Sequence, residues 1–208
     1  TPAGESLDDL LIGQLKYLNQ YFDIIAVAKD DGRLQKVRKR EGVRVVDAPI
    51  ERPISLLKDI IALRWLINFF KQEKPWCVHA NTPKGSLLAM VSAWICRVPH
   101  RIYTVTGLRY QGATGKFKFV LQTMERITCA CATKVIPEGQ GVLKTLKNDH
   151  ITNKPLEVIL NGNINGKDTS FFSVESLYEN CELENGNKRL SIRKEESIKD
   201  VIRKELHI

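Results

Sequence analysis

The residues of this 208-residue chain with types and spacing suited to chemistry gather in two polar stretches. In CVHANTPKGSLLAM, residues 77–90, an apolar run ends at His79, the polar group Asn81, Thr82, Pro83 and Lys84 follows, and apolar residues restart at helical spacing after Gly85. A strand entering a helix through a polar loop has this pattern. At such a strand end His79 can hydrogen-bond a substrate hydroxyl, or it can be a satisfied structural residue. Lys84 precedes a helix whose free N–H groups favour an anion, so dipole and ammonium together can hold a phosphate; the alternative is a solvated lysine. Neither G-x-G-x-x-G nor G-x-x-x-x-G-K-[ST] occurs here, so the loop carries no nucleotide fingerprint.

The second stretch, TVTGLRYQGATGKFKF, residues 104–119, contains three glycines. Long Gly-containing loops at strand ends are usually functional or mobile. Arg109 and Tyr110, then Lys116, Phe117, Lys118 and Phe119, interleave cations with rings, which suits a sugar-phosphate or a membrane interface. The alternative is a mobile loop capping an amphipathic helix, with Phe117 and Val120 in the core. The sequence shows no Ser-His-Asp set, paired-carboxylate spacing or His-Cys cluster, so no catalytic residue is assigned and no metal is expected.

Lys and Arg outnumber Asp and Glu by 32 to 24, and the net charge of +8 points to an anionic partner or to a solvated basic surface. The five cysteines lack framework spacing and read as reduced thiols of a cytosolic protein. The strongest apolar run, residues 60–70, is interrupted by Arg64 and Asn68 and is short of the roughly 20 residues that span a bilayer.

These residues must be positioned by the surrounding elements, and the chain alternates between strand and helix patterns. Strands are expected at 23–28, 44–47, 76–80, 101–105, 133–136 and 156–160. Helices are expected at 7–19, 31–40, 53–71, 85–97, 116–130 and 139–148. Such alternation predicts an α/β fold with a doubly wound parallel sheet and right-handed crossovers, with ligands at the carboxyl ends of the strands. That rule selects the loops at 1–6, 79–84, 106–115, 137–139 and 161–166. The opening TPAGESLDDLLIGQLKYL has no strand before its helix, so a first strand is expected to be missing and the chain to be a fragment. Beyond Phe172 the sequence becomes polar and charged, and residues 173–208 read as a linker with a helix near 194–206, leading to an absent domain.

Three segments together, GQLKYLNQYFDIIAVA, VHANTPKGSLLAMVSAWICRVPHRIYTVTGLRY and VILNGNINGKDTSFF, resemble the N-terminal half of family-four retaining glycosyltransferases of the GT-B fold. The likeness covers residues 1–172 and is nearest to bacterial sugar transferases of capsular and lipid-linked oligosaccharide synthesis. It implies a Rossmann-like acceptor-side domain facing an absent C-terminal domain of the same protein, which would hold the nucleotide-sugar and the catalytic E-x7-E glutamates. NGNINGKD, residues 161–168, resembles the segment before the domain crossing.

By position the resemblance assigns acceptor binding to His79, Asn81, Thr82, Lys84, Thr106, Gly107 and Arg109. Gly4, Glu5 and Ser6 resemble the loop that approaches the donor phosphates, and Tyr110, Lys116, Lys118 and Phe119 are assigned to membrane or loop contact. Many family members carry a histidine where this chain has Thr106, so a histidine contact to the transferred sugar is not carried over. The resemblance further implies a metal-independent transfer with no cofactor beyond the nucleotide-sugar substrate. It also implies a lipid-linked sugar acceptor and a peripheral position at the inner face of the cell membrane. The rival readings are a dinucleotide- or nucleotide-binding Rossmann domain of another enzyme and a basic nucleic-acid-binding module. Neither the glycine spacing of the first nor a recognition helix of the second is present.

Overall fold

The computed structural model describes residues 4–51, 53–160 and 162. The order is α1 (Gly4–Leu10), α2 (Gln14–Leu18), β1 (Ile25–Ala28), α3 (Leu34–Glu41), β2 (Arg44–Asp47), α4 (Leu56–Glu73), β3 (Cys77–Ala80), α5 (Pro83–Ile95), β4 (His100–Val105), a 3-10 turn (Arg109–Gly112), α6 (Gly115–Cys131), β5 (Lys134–Pro137) and α7 (Gln140–Asn148). All strand pairs are parallel, as the alternation predicts. The helix therefore returns against each strand, and every helix that follows a strand starts at the carboxyl edge of the sheet.

Among the described residues the hydrogen-bonded ladders group the strands as β1-β2 and β3-β4-β5. The strand expected at 156–160 shrinks to one bridge, Leu156 beside Val135.

The helix expected at 7–19 is two helices. Gly13 sits between them at φ 74°, a left-handed conformation open to glycine. The cause is tertiary: the Gly13 and Lys16 N–H groups each donate to the Glu41 carboxylate at 3.0 Å, and the chain turns to bring both donors inward.

Burial alternates along the central strands. Val78, Tyr103, Val105 and Val135 point into the main core, where α4, α5 and α6 supply Leu66, Phe70, Leu88, Met90, Leu121 and Cys129. A second core of Leu7, Leu11, Leu15, Leu34, Val37 and Val43 packs α1, α2 and α3 on β1. The opposite face of β3-β4-β5, carrying Cys77, His79, Ile102 and Ile136, is only partly covered.

Candidate functional site

The strand-end loops meet at one edge. The hydroxyl of Thr106, just after β4, donates to the Asn81 carbonyl just after β3 at 2.8 Å, which ties the two loops together. The Glu138 N–H, after β5, donates to the Val105 carbonyl at 3.0 Å and adds the third loop. Gly162 completes the group: its φ is +85°, and a Cβ there would lie 2.5 Å from the Glu138 carbonyl oxygen, so glycine is required by conformation and space. The remainder of the segment 161–168 lies outside the described residues, as do all residues from 173 onward.

His79 keeps solvent access on the partly covered sheet face, and its Nε2 lies 2.8 Å from the Thr104 hydroxyl. The protein mass around the ring lowers its pKa, which favours neutral imidazole at pH 7. It can serve as a hydrogen-bonding group rather than a cation. Asn81 is buried at the loop. Thr82 caps α5 in extended conformation but makes no capping hydrogen bond, and its hydroxyl is buried without a partner. Gly107 is half-buried, and Arg109 is exposed.

Lys84 departs from the sequence expectation. It is 6 % exposed, its ammonium lies 2.6 Å from Asp59 on α4, and it also donates to the Pro53 carbonyl. Its charge is neutralised by a partner 25 residues upstream, so it is a clamp between α4 and α5 rather than a free phosphate ligand.

Tyr110 also departs. Instead of facing a membrane it is 1 % exposed, locked with Leu108 into the main core by the 3-10 turn, so the loop after β4 is anchored rather than mobile. Among the described residues its hydroxyl makes no hydrogen bond of normal geometry, and burial, followed by the nearby Asp149 carboxylate, raises its pKa. Lys116, Lys118 and Phe119 are exposed as expected, and so is Phe117, which is not in the core.

Gly4, Glu5 and Ser6 form the first turn of α1 rather than a loop. The Glu5 N–H donates to the Asp31 carboxylate at 3.0 Å, and a Cβ on Gly4 would lie 2.5 Å from the same carboxylate. An anion at this helix start would have to displace a carboxylate already there.

Glu125 escaped sequence reasoning. It is 5 % exposed on α6, accepts a 2.7 Å hydrogen bond from the Tyr103 hydroxyl, and borders a cavity of about 20 Å³ beneath Lys84, Arg109 and Tyr110. Burial pushes its pKa up to about 7, against the lowering effect of the Tyr103 hydrogen bond, and burial pushes the Cys129 thiol up to about 12. Its signal lay in the helical stripe Leu121, Glu125, Thr128, where a carboxylate interrupts the buried face. Among the described residues no group of His, Cys, Asp and Glu could hold a metal ion.

Comparison with known proteins agrees with this arrangement. The profile of the Glycosyl transferase 4-like domain family matches residues 19–162. The chain is 36% identical over 143 residues to the capsular polysaccharide biosynthesis glycosyltransferase CapM of Staphylococcus aureus, covering 69% of this chain and 36% of that protein. It is 32% identical over 120 residues to the UDP-Gal:alpha-D-GlcNAc-diphosphoundecaprenol alpha-1,3-galactosyltransferase of Escherichia coli, covering 57% of this chain and 31% of that protein. The chain thus spans about a third of the length of both relatives.

Two solved structures share the fold at 14% identity. One is a protein described as a UDP-N-acetylglucosamine 2-epimerase from Listeria monocytogenes, with TM-score 0.56 and coverage of 76% of this chain and 42% of that one. The other is Staphylococcus aureus MnaA with UDP, with TM-score 0.54 and coverage of 79% and 44%. The match over residues 19–162, on parallel α/β architecture with loops gathered at one strand edge, places this chain in the glycosyl transferase 4-like domain family, with the Rossmann-like fold of one half of a GT-B glycosyltransferase.

Proposed function

We propose that the chain is the acceptor-side domain of a retaining, metal-independent glycosyltransferase that adds a sugar to a lipid-linked acceptor in surface polysaccharide assembly. The observation that carries the reading is the single edge at which Asn81, Thr106 and Glu138 are tied by backbone and hydroxyl contacts. Such an edge, with a neutral histidine nearby and no glycine phosphate fingerprint, suits sugar hydroxyls better than a nucleotide. The relatives' printed activities, capsule assembly and transfer to a diphosphoundecaprenol-linked sugar, supply the acceptor class. Donor binding and the catalytic glutamates belong, on this reading, to a further domain beyond residues 173–208, and the enzyme works at the cytoplasmic face of the membrane. A nucleotide-binding role fits less well, because the α1 start is occupied by Asp31.

The test is calorimetry on this chain with a short-chain lipid-diphosphate sugar and, separately, UDP- and GDP-sugars. The acceptor analogue should bind, with affinity reduced about fivefold in His79→Ala, the worth of one hydrogen bond. A micromolar dissociation constant for a nucleotide-sugar, about −8 kcal/mol, would overturn the assignment of the donor pocket to another domain.

A further inference from the structure

One stripe of α4 changes character along its length. Residues 57, 61, 64, 68 and 71 follow helical spacing on the outward face, and all are exposed. The first two are Leu57, 78% exposed, and Ile61, 60% exposed; the rest are Arg64, Asn68 and Lys71. Leu56 and Ile60 widen the apolar half at 79% and 55% exposure. Because α4 follows the parallel strand β2, its apolar half lies toward the carboxyl edge of the sheet, the edge of the acceptor loops.

The start of α6 behaves likewise at the same edge. Every residue from 115 to 120 is exposed, and burial begins only at Leu121, so the first turn and a half stands clear of the domain. That turn carries Phe117 and Phe119 interleaved with Lys116 and Lys118. A helix that presents large apolar side chains to water over two turns is unfavourable unless something covers them.

We infer that the tips of α4 and α6 together form a bilayer-docking surface, Leu57 and Ile61 entering the acyl boundary while Lys116 and Lys118 meet anionic headgroups. The charge pattern selects a lipid surface over a protein. The acidic residue of the α4 tip, Asp59, is turned inward on Lys84, and Glu51 is neutralised by Lys58, so negative charge around the tip is compensated. The combination of buried apolar area and nearby cations is that of interfacial helices, with reversible binding sensitive to salt. This deepens the proposed function and rests on it for the reason a bilayer is approached, since a lipid-linked acceptor presents its sugar at the headgroup plane. It also moves the contact: Tyr110 is excluded, and α4, not the loop after β4, supplies the insertion.

The experiment is flotation of the chain with vesicles of phosphatidylcholine alone or with phosphatidylglycerol, at low and high salt. Flotation should require the anionic lipid. Lys116→Gln with Lys118→Gln should weaken it on the order of tenfold and remove most of its salt sensitivity. Leu57→Glu with Ile61→Glu should abolish it without lowering the melting temperature, because both sites are exposed. In a separate arm, tryptophan placed at Leu57 should be quenched by brominated acyl chains, whereas tryptophan at Asn68, on the same stripe, should not. Absence of flotation at low salt, flotation that survives the α4 double change, or equal quenching at the two positions overturns the inference. Calorimetry with the soluble acceptor analogue separates the two readings: acceptor binding without flotation removes only the docking surface, and flotation without acceptor binding removes only the proposed function.

Discussion

In the half built from α1, α2, α3, β1 and β2, carboxylates at the element junctions are met by several donors each. Asp8 accepts from Lys36 at 2.9 Å and pairs with Arg40, while Glu41 accepts from Arg40 at 2.7 Å and from the Gly13 and Lys16 N–H groups at 3.0 Å. The half built from β3, β4, β5 and α4 to α6 has a larger apolar core in which ionisable groups have few partners: Lys84 has Asp59, and among the described residues Glu125 has only the Tyr103 hydroxyl. The consequence is opposite pH behaviour. Lys36's hydrogen bond, with Arg40 and against burial, holds Asp8 below its ordinary range; Glu41 is also held low, its donors outweighing burial, whereas Glu125 is pushed up. Charge satisfaction makes the first half sensitive to acid, and incomplete satisfaction makes the second sensitive to base.

The largest effect should come from breaking the clamp in the second half. Lys84→Ala removes a buried ammonium, leaves the Pro53 carbonyl without its lysine donor, and leaves Asp59 without its cation, with the Ser55 N–H still donating to the carboxylate at 3.2 Å. Breaking one side of a buried pair costs about 3–5 kcal/mol, and Asp59's partial exposure places the expected loss at the lower end. Urea denaturation reads it directly. A loss near zero would return Lys84 to a solvated surface role.

Much of this comparison was legible in the sequence where local pattern decides. The short Arg-Val-Val-Asp stretch at 44–47 forms β2 over the residues expected, and the polar loop before Gly85 does lead into α5, which starts at Pro83, two residues earlier than the spacing suggested, because proline favours a first helical turn. What escaped depends on distant partners. Gly13 breaks a helix because Glu41 lies below it, Lys84 is buried because Asp59 faces it, and Tyr110 turns inward because the core behind β4 has room for a ring. Of the candidate site, the strand-end position of His79 and Thr106 was readable, but the link between their loops is a tertiary contact.

The second effect is a gain. Glu125 has a folded pKa of about 7, above its ordinary 4.5. Below pH 4.5 it is protonated in both states and its contribution is intact; between those values the unfolded chain ionises first and stability falls; above 7 the loss is complete. Glu125→Gln keeps an acceptor for the Tyr103 hydroxyl and removes the penalty. Its advantage should be nil below pH 4.5 and rise to about 3 kcal/mol above pH 7. A constant difference across this range would show that Glu125 does not titrate inside the fold.

The third effect carries the opposite sign in the first half. Glu41→Gln should cost about 2 kcal/mol at pH 7, less than removing one side of a buried pair outright, because the side chain is fully buried but the isosteric amide keeps an oxygen that still accepts from the Arg40 and Gly13 donors. Glu41's lowered pKa means that its contribution is present above the unfolded carboxylate range and is lost as pH falls through the folded value. The variant and the parent should therefore converge at low pH, with hydrogen exchange accelerating first in α1, α2 and α3.

The smallest effect tests whether the halves are joined by more than covalent connection. Arg44 on β2 forms a two-pronged pair with Glu73 at the end of α4, at 3.0 and 2.7 Å, which links a strand of the first half to a helix of the second. The geometry is favourable, but Arg44's side chain is 55% exposed, so water and salt compete for both groups. An apolar route crosses the same junction: Ala48, tied to the end of β1 by the N–H it donates to the Ala28 carbonyl at 2.9 Å, and Ile50 are both buried in the main core. Arg44→Ala should leave the denaturation midpoint and its slope unchanged at physiological salt, because Ala48 and Ile50 already carry the coupling. If the slope fell and the two halves separated into distinct transitions, the ion pair, not the apolar junction, would be what makes them unfold together.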